Sequence, residues 1–340
     1  MLIDIGAPAS LVLGLVRFEA GGDSAPCLLG VTLQHPPVNL QAEADAALLI
    51  SGPRAEKGLE YVLRVQQALQ FERGMQVEID LAIPTLMGLA SDAMLGLAVA
   101  RALAWANDAR PDDTASHFRA LGLGPAHGLF GWGFDRGGLL MVEARTGPDG
   151  MPAIQRRAEI AHEDRYAWAF HLVLPHPPDD ASDSLEEDRL QALLAAADHL
   201  SPETGRIVND QIWPAVEADD LAAFGGAVMR LQALNGEALA ASGQARSSSE
   251  GEERILAAMR DSEAVAWGGI PTGLGQFAIV RGVARTQRLR TKLQHTLGID
   301  GGTAMATITD NGGARHIVKD DTLNVPNFSD DLRARTPPRE

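Results

Sequence analysis

One cysteine, Cys27, in 340 residues excludes any internal disulfide framework and fits a reducing compartment. Positive charge is also scarce. Lysine and arginine total 29 against 45 acidic residues, a net charge of −16. General binding to nucleic acid or to anionic membranes, which needs a basic surface, is excluded on that balance. An anionic small substrate would have to be drawn in by a local basic pocket. Long apolar runs are missing as well: residues 11–16 are followed at once by Arg17, and the opening Met1-Leu2-Ile3-Asp4 has no basic segment. Neither a signal peptide nor a membrane span is expected, so the reading is soluble and cytoplasmic. The histidines form no H-E-x-x-H pattern, and no G-x-S-x-G elbow or Walker sequence occurs. Structural zinc, serine-hydrolase and P-loop chemistry are therefore poor fits. Cys27 has no base partner in sequence and reads as a small buried residue.

What is present is a core-forming chain, 45% hydrophobic, large enough for one big domain or two. Residues 11–18, 28–33 and 46–50 read as short strands, and 56–72 has helical spacing. Residues 75–83 alternate apolar and polar side chains, a strand with one wet face. They lead through a Gly-containing loop into the strongest helix, 91–107, with Ser91 as its expected N-cap and Asp92 in its first turn. Residues 122–138 carry seven glycines, a pattern for close backbone approach to a ligand or for tight turns. An acidic, Pro-rich connector at 175–183 separates an N-terminal α+β half (1–175) from a C-terminal one (184–328), with a tail at 329–340. Ser184 and Glu187 have capping-box spacing. Further helices are expected over 219–240, 250–260 and 284–297, the last one basic. Residues 304–318, with Asp310-Asn311-Gly312-Gly313 at the centre, read as a β-hairpin. Strands and helices in this mixed order predict an α+β fold.

The loop at 83–93 carries most of the functional argument. A helix start leaves backbone N–H groups free to face an anion, usually a phosphate, here with Gly88 and the Ser91 hydroxyl. Asp92 opposes this unless Mg²⁺ lies between the two negative charges; without a ligand the same loop is a capped core helix. Arg281, Arg285, Arg288, Arg290 and Lys292 read as a solvated basic helix face. The acidic run from Asp179 to Asp188 reads as a solvated linker and helix start.

With its elements in this order the chain resembles the GHMP superfamily, and within it the beta-ribofuranosylaminobenzene 5'-phosphate synthases of tetrahydromethanopterin biosynthesis. Ala7-Pro8-Ala9-Ser10-Leu11-Val12-Leu13-Gly14-Leu15 is similar to the family's P-A-R-L-H-L-G-L, and residues 84–95 to P-x-x-x-G-L-G-S-G-T-Q-L. Residues 134–142 are similar to F-E-x-G-G-F-I-V, and Ile212-Trp213-Pro214-Ala215-Val216 to M-L-P-A-L; residues 267–278 stand where the family has G-Q-S-S-W-G-P-T-x-Y-G. The departures fall at site positions: Ser10 and Val12 replace Arg and His, and Ala90-Ser91-Asp92-Ala93 replaces G-S-G-T.

The resemblance implies a GHMP-type two-layer fold, mixed sheets packed with helices. It also implies transfer of phosphoribosyl from phosphoribosyl pyrophosphate to an aromatic acid, with loss of pyrophosphate and carbon dioxide, assisted by Mg²⁺. Asp92, His127 and Asp135 would be catalytic, with Asp92 at the metal. Gly88, Ser91, Gly128, Arg136, Gly137, Thr272, Gly273 and Gln276 would bind substrate. A homodimer follows from the same likeness. The changed site positions open a second reading, a diverged paralogue, non-catalytic or of altered specificity, that acts as a binding or partner subunit. That reading carries with it a heteromer with a related subunit. A third is an ATP-dependent small-molecule kinase of the wider superfamily.

Overall fold

The computed structural model describes residues 2–20, 23–145, 150–161, 167–245, 247–298 and 301–319. The tail expected at 329–340 lies outside the described residues. The chain opens with β1 (Leu2–Ala20), β2 (Asp23–Asp45), β3 (Leu49–Ser51), α1 (Ala55–Leu69), β4 (Gly74–Leu81) and α2 (Ser91–Ala106). Then come α3 (Thr114–Ala120), α4 (Gly128–Arg136), β5 (Leu139–Glu143), β6 (Ile154–Ala158) and β7 (Trp168–Pro175). The remainder is α5 (Leu185–Ala195), α6 (Glu203–Ile207), α7 (Trp213–Glu217), α8 (Leu221–Ala241), α9 (Glu250–Arg260), β8 (Ala266–Gly269), β9 (Gln276–Arg281), α10 (Val283–Leu297), β10 (Gly302–Thr307) and β11 (Arg315–Lys319).

Two sheets result. One runs β11-β1-β2-β4-β3 with β5 and β6 branching from β2; the other runs β10-β7-β9-β8. All pairings are antiparallel except β3 with β4. The short strands expected near the N-terminus are instead one long hairpin, β1 with β2, bent by register shifts at Ala7/Ala9 and Val12/Gly14. Pro8, Pro36, Pro37, Gly14 and Gly30 sit at or beside these irregularities while Gly6 and Pro26 pair in register, so none of them ends a strand. Where β1 runs beyond β11, the edge needs another partner. Asn235 of α8 supplies one: its Oδ1 accepts from Leu15 N at 2.6 Å, and its Nδ2 donates to Leu15 O and Leu231 O at 2.9 Å. Asn235→Ala leaves a buried N–H and C=O without partners, and is expected to lower stability by about 2–4 kcal/mol. Urea denaturation checks this, and a loss under about 0.5 kcal/mol would refute the bracing role.

Helix α2 is the axis of the core. Every residue is buried except Asp92 and Trp105, because the helix is apolar all round and is covered on every side. Its one buried cation, Arg101, donates from Nε to Pro111 O and from Nη1 to Ala314 O, and stacks 4.5 Å from the Phe134 ring. One large core joins both sheets. A smaller cluster, including Ala169, Val173, Ile255, Met259, Val280 and Leu293, lies between the second sheet and helices α9 and α10.

Several expectations need correction. Ser91 is the first helical residue rather than the N-cap, which is Ala90 in a left-handed conformation (φ 61°) with no side-chain cap. The glycine-rich stretch contains helix α4, and Ser184 bonds Asp188 Oδ2 at 2.7 Å instead of capping α5. The C-terminal segments do not form a hairpin. β10 pairs with β7 in one sheet and β11 with β1 in the other. The turn between them is tied by Asp310 Oδ1, which accepts from Gly312 N and Gly313 N at 2.9 Å each, so the chain crosses sheets there. The basic face of α10, by contrast, is exposed as a solvated face should be, with Arg285 and Arg288 reaching Glu263 and Lys292 reaching Asp261 O at the surface. Cys27 is buried, and burial pushes its thiol up to about 12. Among the described residues no helix is long and apolar enough to cross a membrane.

Candidate active site

The strand with one wet face is β4, with Met75, Val77 and Ile79 buried and Gln76, Glu78 and Asp80 exposed. It delivers the chain to a loop in which Leu86, Gly88 and Ala90 all have positive φ. Left-handed backbone at two non-glycine residues is strained by roughly 1–2 kcal/mol each. It turns Ser91 and Asp92 into a cleft of about 720 Å³. One wall is α1 with Arg54, Lys57, Tyr61 and Arg64; another is the approach to α4 with Leu121, Leu123, His127 and Phe130. The start of α5 closes the third side with Asp183, Ser184, Glu186 and Glu187, and Thr272 reaches in from the β8–β9 loop.

Three contacts dock the first turns of α5 against this cleft. Gly88 N donates to Glu186 Oε1 at 2.8 Å, His127 Nε2 bonds Glu187 Oε2 at 2.8 Å, and Arg189 donates to Gly273 O. Burial, reinforced by the Asp92 charge, pushes the Glu186 carboxyl up to about 7; the Gly88 N–H, Arg54 and the Ser91 hydroxyl pull the other way. The His127 hydrogen bond lowers Glu187. Asp92 is paired with Arg54, itself left-handed at φ 62°, whose Nη1 is buried without a partner among the described residues. Burial and then the Asp92 charge raise Tyr61. A partly enclosed carboxyl titrating near neutrality is the kind of group that does acid–base work.

The second glycine-rich loop does not face the first across an open space. Leu274 N donates to Leu86 O at 2.7 Å, Gly275 N to Met87 O at 3.2 Å, and Thr272 Oγ1 to Gly88 O at 3.2 Å. A Cβ on Gly88 would meet Gly273 N at 2.6 Å, and one on Gly273 would overlap the Gly88 backbone. These glycines serve contact between two loops.

Of the residues singled out in the sequence, Gly88, Ser91, Asp92, His127, Thr272 and Gly273 come together at or beside this cleft. Asp135, Gly128, Arg136, Gly137 and Gln276 do not line it. Asp135 accepts from Thr114 Oγ1 at 2.9 Å, Gly128 packs on Pro152, Arg136 lies over Trp132, Gly137 abuts the 310–313 turn, and Gln276 Nε2 donates to Leu274 O at 2.6 Å. Glu186, Glu187, Arg54 and Tyr61 were not foreseen. The run read as solvated linker and helix start sends one member, Glu186, inward, while Glu187 stays exposed at the cleft edge where it meets His127. Among the described residues no group of three or more His, Cys, Asp or Glu could hold a metal ion. With Asp92 held by Arg54, these side chains alone do not fit a resident Mg²⁺ site.

No family model and no curated protein matches the chain. Solved structures do. The L. major mevalonate kinase complex with R-mevalonate superposes with TM-score 0.63 at 14% identity, over 91% of this chain and 96% of that one. The fold is that of the GHMP kinases. Homoserine kinase from Cytophaga hutchinsonii gives TM-score 0.57 at 14% identity, covering 93% and 97%. A complex of MDDEF with MVAPP, AMPPCP and magnesium gives 0.58 at 15%, covering 94% and 99%. At such identities the likeness to GHMP kinases concerns architecture, and function has to be argued from the cleft.

Proposed function

We propose that the chain is a small-molecule enzyme on the GHMP fold with altered specificity, binding its substrate between α1, the start of α2 and the start of α5. Phosphoribosyl transfer to an aromatic acid and ATP-dependent phosphoryl transfer would each seat a polyphosphate on the helix-start loop. The observation that carries the altered-specificity reading is the close packing of loop 272–275 on loop 86–88, which sets Gly273 against the Gly88 backbone and closes that face of the loop to a polyphosphate. Glu186 and the His127–Glu187 pair are then the groups able to move protons on a bound substrate.

Isothermal titration of the purified protein with Mg·ATP and with Mg·phosphoribosyl pyrophosphate tests this reading. A parallel assay follows pyrophosphate release in the presence of 4-aminobenzoate or 4-hydroxybenzoate. The expected result is no saturable binding of either polyphosphate and no acceptor-dependent release. Micromolar binding of Mg·ATP would restore the kinase reading. Acceptor-dependent release would restore the synthase reading.

A further inference from the structure

We propose that Glu186 sets the specificity of this cleft by holding its own carboxylate on the anion position at the start of α2, so that phosphate-bearing ligands are turned away. The inference rests on the altered-specificity reading above and names the residue responsible. Its basis is placement. Glu186 Oε1 accepts from Gly88 N at 2.8 Å, a donor through which such a loop would hold a phosphate oxygen, and Ser91 lines the same cleft beside it. The carboxylate is held there rather than swinging freely, because the neighbouring Glu187 and Arg189 tie the same helix to His127 and Gly273. The nearby guanidinium of Arg54 is already paired with Asp92. Above pH 7, where Glu186 carries its charge, an arriving phosphate meets two carboxylates, Glu186 and Asp92, against the one guanidinium of Arg54 in a partly enclosed space.

Removing one charge changes that balance and leaves Gly88 N–H, the Ser91 hydroxyl and Arg54 in position. Wild-type protein, Glu186→Ala, Glu186→Gln and Glu186→Asp would each be titrated with inorganic phosphate and with pyrophosphate, followed by calorimetry and by ³¹P line broadening. Glu186→Ala is expected to bind at least tenfold more tightly than wild type, and Glu186→Gln to move the same way. Glu186→Asp, which keeps the charge, should stay as weak as wild type. Should Glu186→Ala fold poorly, the near-isosteric Gln variant carries the test alone. Equal affinity across all four proteins overturns the proposal, and so does a gain in the Asp variant matching that in Ala. Wild-type binding of Mg·ATP or Mg·phosphoribosyl pyrophosphate would instead defeat the broader reading, so the two failures are told apart.

Discussion

Gly273→Ala should cost about 3–5 kcal/mol, at the severe end of single substitutions, and lower the melting temperature by roughly 4–7 °C. The reason is space rather than backbone angle, since Gly273 is not among the residues with positive φ. The added methyl would overlap backbone atoms of Met87 and Gly88, which no change of side-chain rotamer can relieve. Relief requires the two loops to separate, breaking the Leu274–Leu86 and Gly275–Met87 hydrogen bonds and the Thr272 contact together. Gly226→Ala is the matched control. Gly226 lies in α8, and a methyl added there would meet nothing within 4 Å, so the change should stabilise by about 0.5–1 kcal/mol through helix propensity. Thermal melts of both variants decide the matter. Similar melting temperatures for the two would show that the loops are not locked as described, and would remove the main support for the altered-specificity reading.

The elements legible in the sequence were those whose pattern is local. β4 shows a period of two, and α1, α8, α9 and α10 have helical spacing that the structure keeps to within a few residues. α2 was readable from its uninterrupted apolar run, and the α+β class from the mixed order of elements. Where distant partners decide the outcome, the local signal misled. The Asp310-Asn311-Gly312-Gly313 turn is real, but the strands on either side of it find partners in different sheets. Half of the candidate site was legible in the same sense. Ser91 and Asp92 are marked by the strand–loop–helix pattern around them, and Gly88 by its place in the loop. Glu186 carries no such mark: in an acidic run each residue looks alike, and the one that turns inward is chosen by the packing of α5 across the cleft. Arg54 follows a Gly-Pro turn, yet only the left-handed backbone it adopts directs its guanidinium to Asp92.

Acidification should destabilise the protein chiefly through two buried histidines. Burial holds His117 and His171 down to about 4, with the charges of Arg101 and Arg290 acting in the same direction. Both nitrogens of His171 are buried without partners among the described residues. The unfolded chain takes up these protons from about pH 6.5 downward while the folded chain resists, so the stability present above 6.5 is lost as pH falls toward 4. Between pH 7 and 5 each histidine withdraws about 2 kcal/mol. Glu186 acts with the opposite sign. Its folded-state value is raised to about 7, so its burden on the fold at high pH is relieved on acidification, by roughly 2 kcal/mol over the same interval. Two histidines against one glutamate leave a net loss of about 2 kcal/mol. His171→Leu removes one histidine and replaces an unpartnered polar ring with an apolar side chain, in a layer formed by Ala169, Val173, Leu289 and Leu293. That variant should match or exceed wild-type stability at pH 7 and show an almost level profile down to pH 5. Denaturant titrations at half-unit steps give the two curves, and parallel curves would mean that His171 does not titrate against the fold. Adding Glu186→Gln to His171→Leu removes the opposing contribution and should restore the downward slope, which assigns the balance to these three side chains.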